Sequence, residues 1–266
     1  MKRFSFFALL VLMIAALACG GTAPQPTPEP TATLVEPTST PEPTDTPLPT
    51  DTATPLPPTA TPDTTATAAV RATQSAEGAL SELDKLLGDT DIPYKDGRLI
   101  WKQTEPFKIS MAGPDYQILD IDDDLTAGNF IFKSDVIWEA SGIVICGVIF
   151  RSEPNLLNGR QYQFPYLRLS GLPAWAIEVH EFGNFKNSPT DIKFSDALDL
   201  ENGATNQLVL VVQDDNFTVY INQTRQGKFY DYSKQRMNGN FGFLARQDSG
   251  NGYCEFENSW VWSLDE

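Results

Sequence analysis

Residues 89–266 predict an all-β domain, a two-sheet antiparallel sandwich, on three observations: period-2 hydrophobic alternation, its recurrence in many short runs, and turn residues between the runs. The alternation is plainest where Phe130, Phe132, Val136 and Trp138 interleave with Ile131, Lys133, Asp135 and Glu139, the pattern of a strand with one buried face. Ile143–Arg151, Tyr162–Leu169, Ala174–His180, Leu208–Gln213, Phe217–Ile221, Asn240–Ala245 and Phe256–Leu264 repeat it with β-branched or aromatic residues. Asp214-Asp215-Asn216 predicts a tight hairpin, while Gly171, Gly183, Gly203, Gly239 and Gly250 punctuate longer connections. Short strands with no helices between them bury their apolar faces by stacking sheet on sheet, and the segment is long enough to enclose one core.

The elements before the sandwich follow in order. Residues 1–18 read as an export signal, in which Lys2 and Arg3 precede an apolar stretch too short to span a membrane as a mature helix. Ala16-Leu17-Ala18-Cys19 resembles a lipobox, which implies a lipid on Cys19 and an extracytoplasmic, membrane-anchored protein. Residues 19–74 predict a disordered Thr/Pro-rich linker: Thr, Pro and Ala dominate, and no Lys or Arg occurs from Gly20 to Val70. Proline removes backbone donors and sets φ near the polyproline II value, so this tract is expected to act as an extended spacer. Leu80, Leu83, Leu86 and Leu87 then recur at helical spacing and predict a short amphipathic helix over 75–88, ended by Gly88 and Pro93.

The runs GNFIFKSDVIWE, GVIFRS, YQFPYLRLS, AWAIEV, NQLVLVVQDDNFTVYINQ, GNFGFLA and FENSWVWSL follow one another between Gly128 and Leu264. Their order resembles the concanavalin A-like lectin/glucanase superfamily, in particular its laminin G-like and 3-keto-disaccharide hydrolase-like members. The resemblance implies a jelly-roll sandwich; the superfamily holds sugar binders, glycosidases and adhesion modules alike. Its glucanases carry an E-x-D-x-x-E run, which is absent here: Glu82-Leu83-Asp84 has Leu87 where the second Glu would fall. Glu255 and Glu257 share a strand face opposite the apolar Phe256 and are expected to meet solvent. No G-x-S-x-G elbow occurs either. The expectation is a non-catalytic binding module for a glycan; the alternatives are a sugar-processing hydrolase and a protein-adhesion or structural module.

Sugar sites pair aromatic platforms with a few oriented polar groups. Glu178 and the single histidine, His180, lie two residues apart on one strand face, opposite Trp175, Ile177 and Val179. Tyr220 is out of phase with Phe217, Val219 and Ile221 and is expected to face outward, whereas Trp138 and Trp175 are expected inside. Arg151 and Arg168, at strand ends, complete the ligand candidates. Asp120, Asp122, Asp123 and Asp124 form the densest acidic loop, and Asp120, Asp122 and Asp124 are the candidate ligands for Ca2+, which laminin G-like jelly rolls often carry; no other cofactor is expected. With Cys19 lipidated, Cys146 and Cys254 remain, either bridged in an oxidising compartment or left as two buried thiols. The net charge is −16, of which −13 falls on residues 75–266. That charge excludes nucleic acid and anionic membrane surfaces as partners and leaves a glycan or a cell-surface protein, with the membrane reached through the lipid alone.

Overall fold

The computed structural model describes residues 64–265, apart from Ser170 and Gln235. The export signal, Cys19 and the Thr/Pro-rich tract up to residue 63 lie outside the described residues. In chain order the elements are α1 (Thr64–Leu87), β1 (Arg98–Lys102), β2 (Phe107–Ala112), β3 (Asp115–Asp120), β4 (Thr126–Ala127), β5 (Phe130–Ala140) and β6 (Val144–Ser152). There follow β7 (Gln161–Leu169), β8 (Leu172–Trp175), β9 (Glu178–Glu181), β10 (Asn184–Asn187) and β11 (Lys193–Phe194). The chain closes with β12 (Thr205–Gln213), β13 (Asn216–Ile221), β14 (Thr224–Tyr230), β15 (Gly239–Gln247) and β16 (Asn251–Ser263).

The strands form two antiparallel sheets, as the alternation predicts. A seven-stranded sheet runs β1-β16-β5-β12-β13-β14, with β2 also on β16. A nine-stranded sheet runs β10-β9-β7-β6-β15-β3, with β8 on β7, β11 on β8 and β4 on β15. Between them lies a core in which Phe130, Phe132 and Trp138 of β5 meet Phe150, Phe164, Trp175 and Phe243 of the other sheet. Aromatic pairs span it: Phe243 stacks on Phe256 at 4.0 Å and Phe130 meets Phe241 edge-on at 4.8 Å. Of the two states open to the cysteines, the bridge is formed: Cys146 of β6 is bonded to Cys254 of β16 and so ties one sheet to the other.

The seven-stranded sheet also buries its outer face. Ile131, Val209, Val211, Trp260 and Trp262 point away from the core and are covered by Ala79, Leu83 and Leu87 of α1. The helix begins at Thr64 rather than at residue 75, and its C-terminal half meets the sheet; Ala69 to Gln74 are exposed. Its end is fixed by hydrogen bonds: the Tyr94 hydroxyl donates to Asp84 Oδ1 at 2.7 Å, and the Trp262 indole N–H to the Tyr94 carbonyl at 2.9 Å.

Two local readings change. The run Ala174–His180 is two strands, because Ala176 and Ile177 leave the ladder and the Ile177 N–H is taken by Thr190 Oγ1 at 2.8 Å. Gly183 closes no long connection. Phe182 and Gly183, at φ 51° and 71°, form a two-residue hairpin loop that places β10 directly beside β9. The Asp214-Asp215 hairpin is as expected, with Gln213 paired to Asn216 and Asp214 at φ 51°.

Candidate functional site

On the nine-stranded sheet, side chains that alternate with the core residues face outward. Register sets them in rows: Glu178 of β9 opposes Gln163 of β7, which opposes Ile149 of β6, while His180 opposes Gln161 on one side and Phe185 of β10 on the other. Glu178 and His180 are two apart on one strand, so both side chains emerge on this face, and His180 Nε2 lies 2.8 Å from Glu178 Oε2. Gln163 is 4% exposed, and its Nε2 donates to the hydroxyl of Tyr116, which reaches across the face from β3, at 3.4 Å. Burial raises the Tyr116 phenol above its ordinary value; the Gln163 donor and the Arg246 guanidinium oppose that rise, and the Glu178 carboxylate adds to it. Gln163, Glu178 and Arg246 therefore all act on Tyr116, although four different strands supply the group.

Two rings flank this polar floor. Tyr116 is 42% exposed and Phe185 56%, with Phe185 standing edge-on to His180 at 6.0 Å. The rim beyond Phe185 is apolar: Leu157 and Phe182 are exposed, and the Phe182 N–H donates to the Asn158 carbonyl at 3.1 Å, fastening the β9–β10 hairpin to the loop before β7. Exposed rings give C–H faces something to pack on, while a carboxylate, an imidazole and an amide supply acceptors and donors between them.

The other predicted ligand residues lie elsewhere, and their roles change accordingly. Arg151 is fully buried; its guanidinium donates to the carbonyls of Gly128 at 2.8 Å and Asp214 at 2.6 Å, so it clamps loops and reaches no surface. Arg168 donates to Asn202 Oδ1 at 3.0 Å; it is in phase with the core-facing Tyr162, Phe164 and Tyr166 and pairs with the core residue Val144, so it leaves β7 on the side away from Gln163. Tyr220 does face away from the core, but on the opposite sheet, where it is 4% exposed beneath α1 and the segment after it. The expected grouping of Tyr220 with Glu178 and His180 is thus split across the sandwich.

The acidic loop holds itself by Asx turns: Asp120 Oδ1 accepts from the Asp122 N–H and Asp122 Oδ1 from the Asp124 N–H. Among the described residues no three or more His, Cys, Asp or Glu side chains are gathered as a metal would require. Burial raises the Asp120 carboxyl above its ordinary 3.8, with Asp123 and Asp122 adding to the rise and the Asp122 amide opposing it. A raised carboxyl makes the charged native state costly above the folded value and costs nothing below the unfolded one. Asp120→Asn, which keeps the Oδ1 acceptor, is therefore expected to raise the melting temperature at pH 7 and to lose that gain by pH 3, as a melting series across pH would show.

A groove of about 810 Å³ also runs between α1 and the seven-stranded sheet, lined in part by Glu82, Lys133, Asp135, Glu257 and Trp260. Its buried cation is already held by acids. Lys133, only 4% exposed, donates to Asp135 Oδ2 at 2.9 Å and the Asn258 carbonyl at 3.2 Å, and lies 3.7 Å from Glu82 Oε2. Glu255 is likewise engaged, with Lys108 at 2.9 Å.

Tyr116, Gln163 and Phe185 escaped the sequence reading. Their signals were the DYQILD run, whose Tyr116 and Ile118 share a phase, and the Phe-Gly pair of a tight hairpin; the juxtaposition itself comes from register.

Fold and face together define an antiparallel β-sandwich whose outer surface joins exposed rings to an amide and a carboxylate–imidazole pair. No protein-family model and no curated protein matches the chain. Among solved structures, it is similar to the carbohydrate-binding module CBM66 from Bacillus subtilis at 16% identity, covering 57% of this chain and 84% of that one with a TM-score of 0.40. It is similar to the Bacillus licheniformis β-glucanase at 9% identity, over 62% and 82% of the two chains with a TM-score of 0.43. Sheep galectin-11, in complex with glycerol, is similar at 13% identity over 57% and 98%, with a TM-score of 0.37. Similarities of this size carry no residue from those proteins to this one.

Proposed function

We propose that the outer face of the nine-stranded sheet binds a neutral glycan without turning it over, on a module that the Thr/Pro-rich linker displays outside the cell from a lipid on Cys19. The observation that carries the glycan reading is the polar floor of Gln163, Glu178 and His180 set between the exposed rings of Tyr116 and Phe185. Sugar rings present apolar C–H faces and hydroxyls together, and this face offers a partner for each. The acidic balance of the domain favours a neutral ligand over an anion. Retaining hydrolysis needs a second carboxyl about 5 Å from the first, whereas the group hydrogen-bonded to Glu178 is His180.

A glycan array probed with the full chain, Tyr116→Ala and Glu178→Gln tests the reading, followed by a product assay on each hit. Saturable binding to neutral glycans is expected, weakened about tenfold or more in each variant through loss of a stacking ring or a charged acceptor, with the glycan recovered intact. A blank array, or hits that both variants leave unchanged, removes the glycan from this face and leaves its apolar rim as a protein-docking surface; a released product makes the protein an enzyme.

A further inference from the structure

The sheet edge on the other side of the sandwich carries a second set of groups that the glycan face does not use. β13 turns into β14 through Asn222 and Gln223, both at positive φ, so that Tyr220 pairs with Arg225 and Thr218 with Lys228. Between these pairs the register slips by one residue, with Gln226 left over. Without that bulge, Arg225 and Lys228, three apart, would project to opposite faces; with it both stand on the outer face beside Tyr220 and Thr218. Gly227 makes the bulge tolerable, since its φ of 149° suits no side chain and an added Cβ would lie 2.7 Å from the Phe229 ring.

These residues border a recess of about 310 Å³, with Gln213, Thr218 and Tyr220 from the sheet, Arg225 and Lys228 from its edge, and Asp89 to Ile92 from the chain after α1. Arg225 and Lys228 are exposed and, among the described residues, neither forms an ion pair, although the domain is strongly acidic. Lys228 Nζ sits 5.8 Å from the centre of the Tyr230 ring. Tyr230 stacks on Tyr232 at 6.0 Å and 15°, and the two rings are 44% and 86% exposed. Unpaired cations, an exposed stacked pair of rings and a recess with amide, hydroxyl and carboxylate walls thus lie in one line along β14.

We propose that this edge is a second binding site, for a carboxylated sugar: a uronate residue of an acidic glycan. Arg225 and Lys228 take the carboxylate, Tyr230 and Tyr232 carry the C–H face of the neighbouring ring, and Asp89, Asp91 and Gln213 accept hydroxyl donors. A sugar acid is favoured over a bare phosphate or sulfate because its hydroxyls offer donors to Asp89, Asp91 and Gln213, which a bare anion lacks. The negative charge of the domain does not forbid the ligand, since fields beyond about 8 Å are screened at physiological salt while the two cations act at contact.

The site is independent of the neutral-glycan face, and affinity electrophoresis of the full chain through gels containing polygalacturonate, alginate or hyaluronan separates them. Retardation by at least one of the three is expected. It should weaken about tenfold or more in the Arg225→Gln, Lys228→Gln double variant and clearly in Tyr230→Ala, and stay unchanged in Glu178→Gln. All substituted side chains at the edge are exposed, so the variants fold. No retardation by any of the three, retardation that the double variant keeps, or retardation lost in Glu178→Gln overturns the proposal.

Discussion

Replacing Cys146 and Cys254 by alanine lowers the unfolding free energy of the sandwich by about 4–5 kcal/mol, the loop-closure value for a bridge across roughly a hundred residues. The bridge spans 108 positions and joins β6 to β16, so without it the two sheets lose their covalent cross-link. Both cysteines are fully buried, so the alanines also leave small voids that add to the loss. With a urea dependence of about 2 kcal/mol per molar, the midpoint falls by about 2 M or more. Urea melts of the oxidised protein, the variant and the wild type unfolded and refolded under reductant check this. Coincident midpoints would mean that the bridge constrains nothing the core has not already fixed.

The second large effect belongs to Arg151. Its Nε and Nη2 donate to the Gly128 carbonyl at 3.0 and 2.8 Å, and Nη1 donates to those of Asp214 at 2.6 Å and Arg236 at 3.3 Å. One side chain therefore pins the start of β5, the β12–β13 hairpin and the approach to β15. Burial lowers the guanidinium below its ordinary value, while Tyr162, Asp214, Asp265 and Asp215 oppose that shift and hold the charge in place. Arg151→Met leaves the carbonyls without their donor at about 1–3 kcal/mol each, partly relieved by water, and is expected to cost about 4 kcal/mol. Arg151→Lys keeps one charge but not the fork and falls between. Thermal and urea melts of both variants give the order; a loss under about 1 kcal/mol in Arg151→Met would show that the loops are fixed by their own turns.

Arg151 also shows where the sequence stops being informative. A strand-end arginine after GVIF reads equally as a surface group or a clamp, and only the convergence of three distant carbonyls, set by tertiary contacts, decides between them. The strands themselves were legible because alternation marks the core-facing side, as Phe130, Phe132, Val136 and Trp138 do, although it does not show that Ile131 and Lys133 on the outer side are buried as well. α1 was legible at its C-terminal half, where leucines meet the sheet, and not over Ala69 to Gln74, which are exposed and show no apolar periodicity. Glu178 and His180 could be paired from spacing because they share a strand. Gln163 and Tyr116 could not, since cross-strand neighbours depend on register, which no local pattern states. Tyr220 was placed on the correct side of its strand by phase, yet its covering by α1 is a long-range contact that phase does not contain.

For sugar binding at the Tyr116, Gln163, Glu178, His180 surface the chain supplies its own reporter, since His180 is its single histidine. The imidazole Hε1 resonance of the full chain, followed by NMR while a neutral array hit is titrated in, tests that binding most directly. This resonance is expected to shift saturably, with the same midpoint as calorimetric binding, and to stay still when Tyr116→Ala has weakened that binding. Calorimetric binding that leaves the His180 resonance unmoved would place the sugar elsewhere on the sandwich and rule out this face as its site.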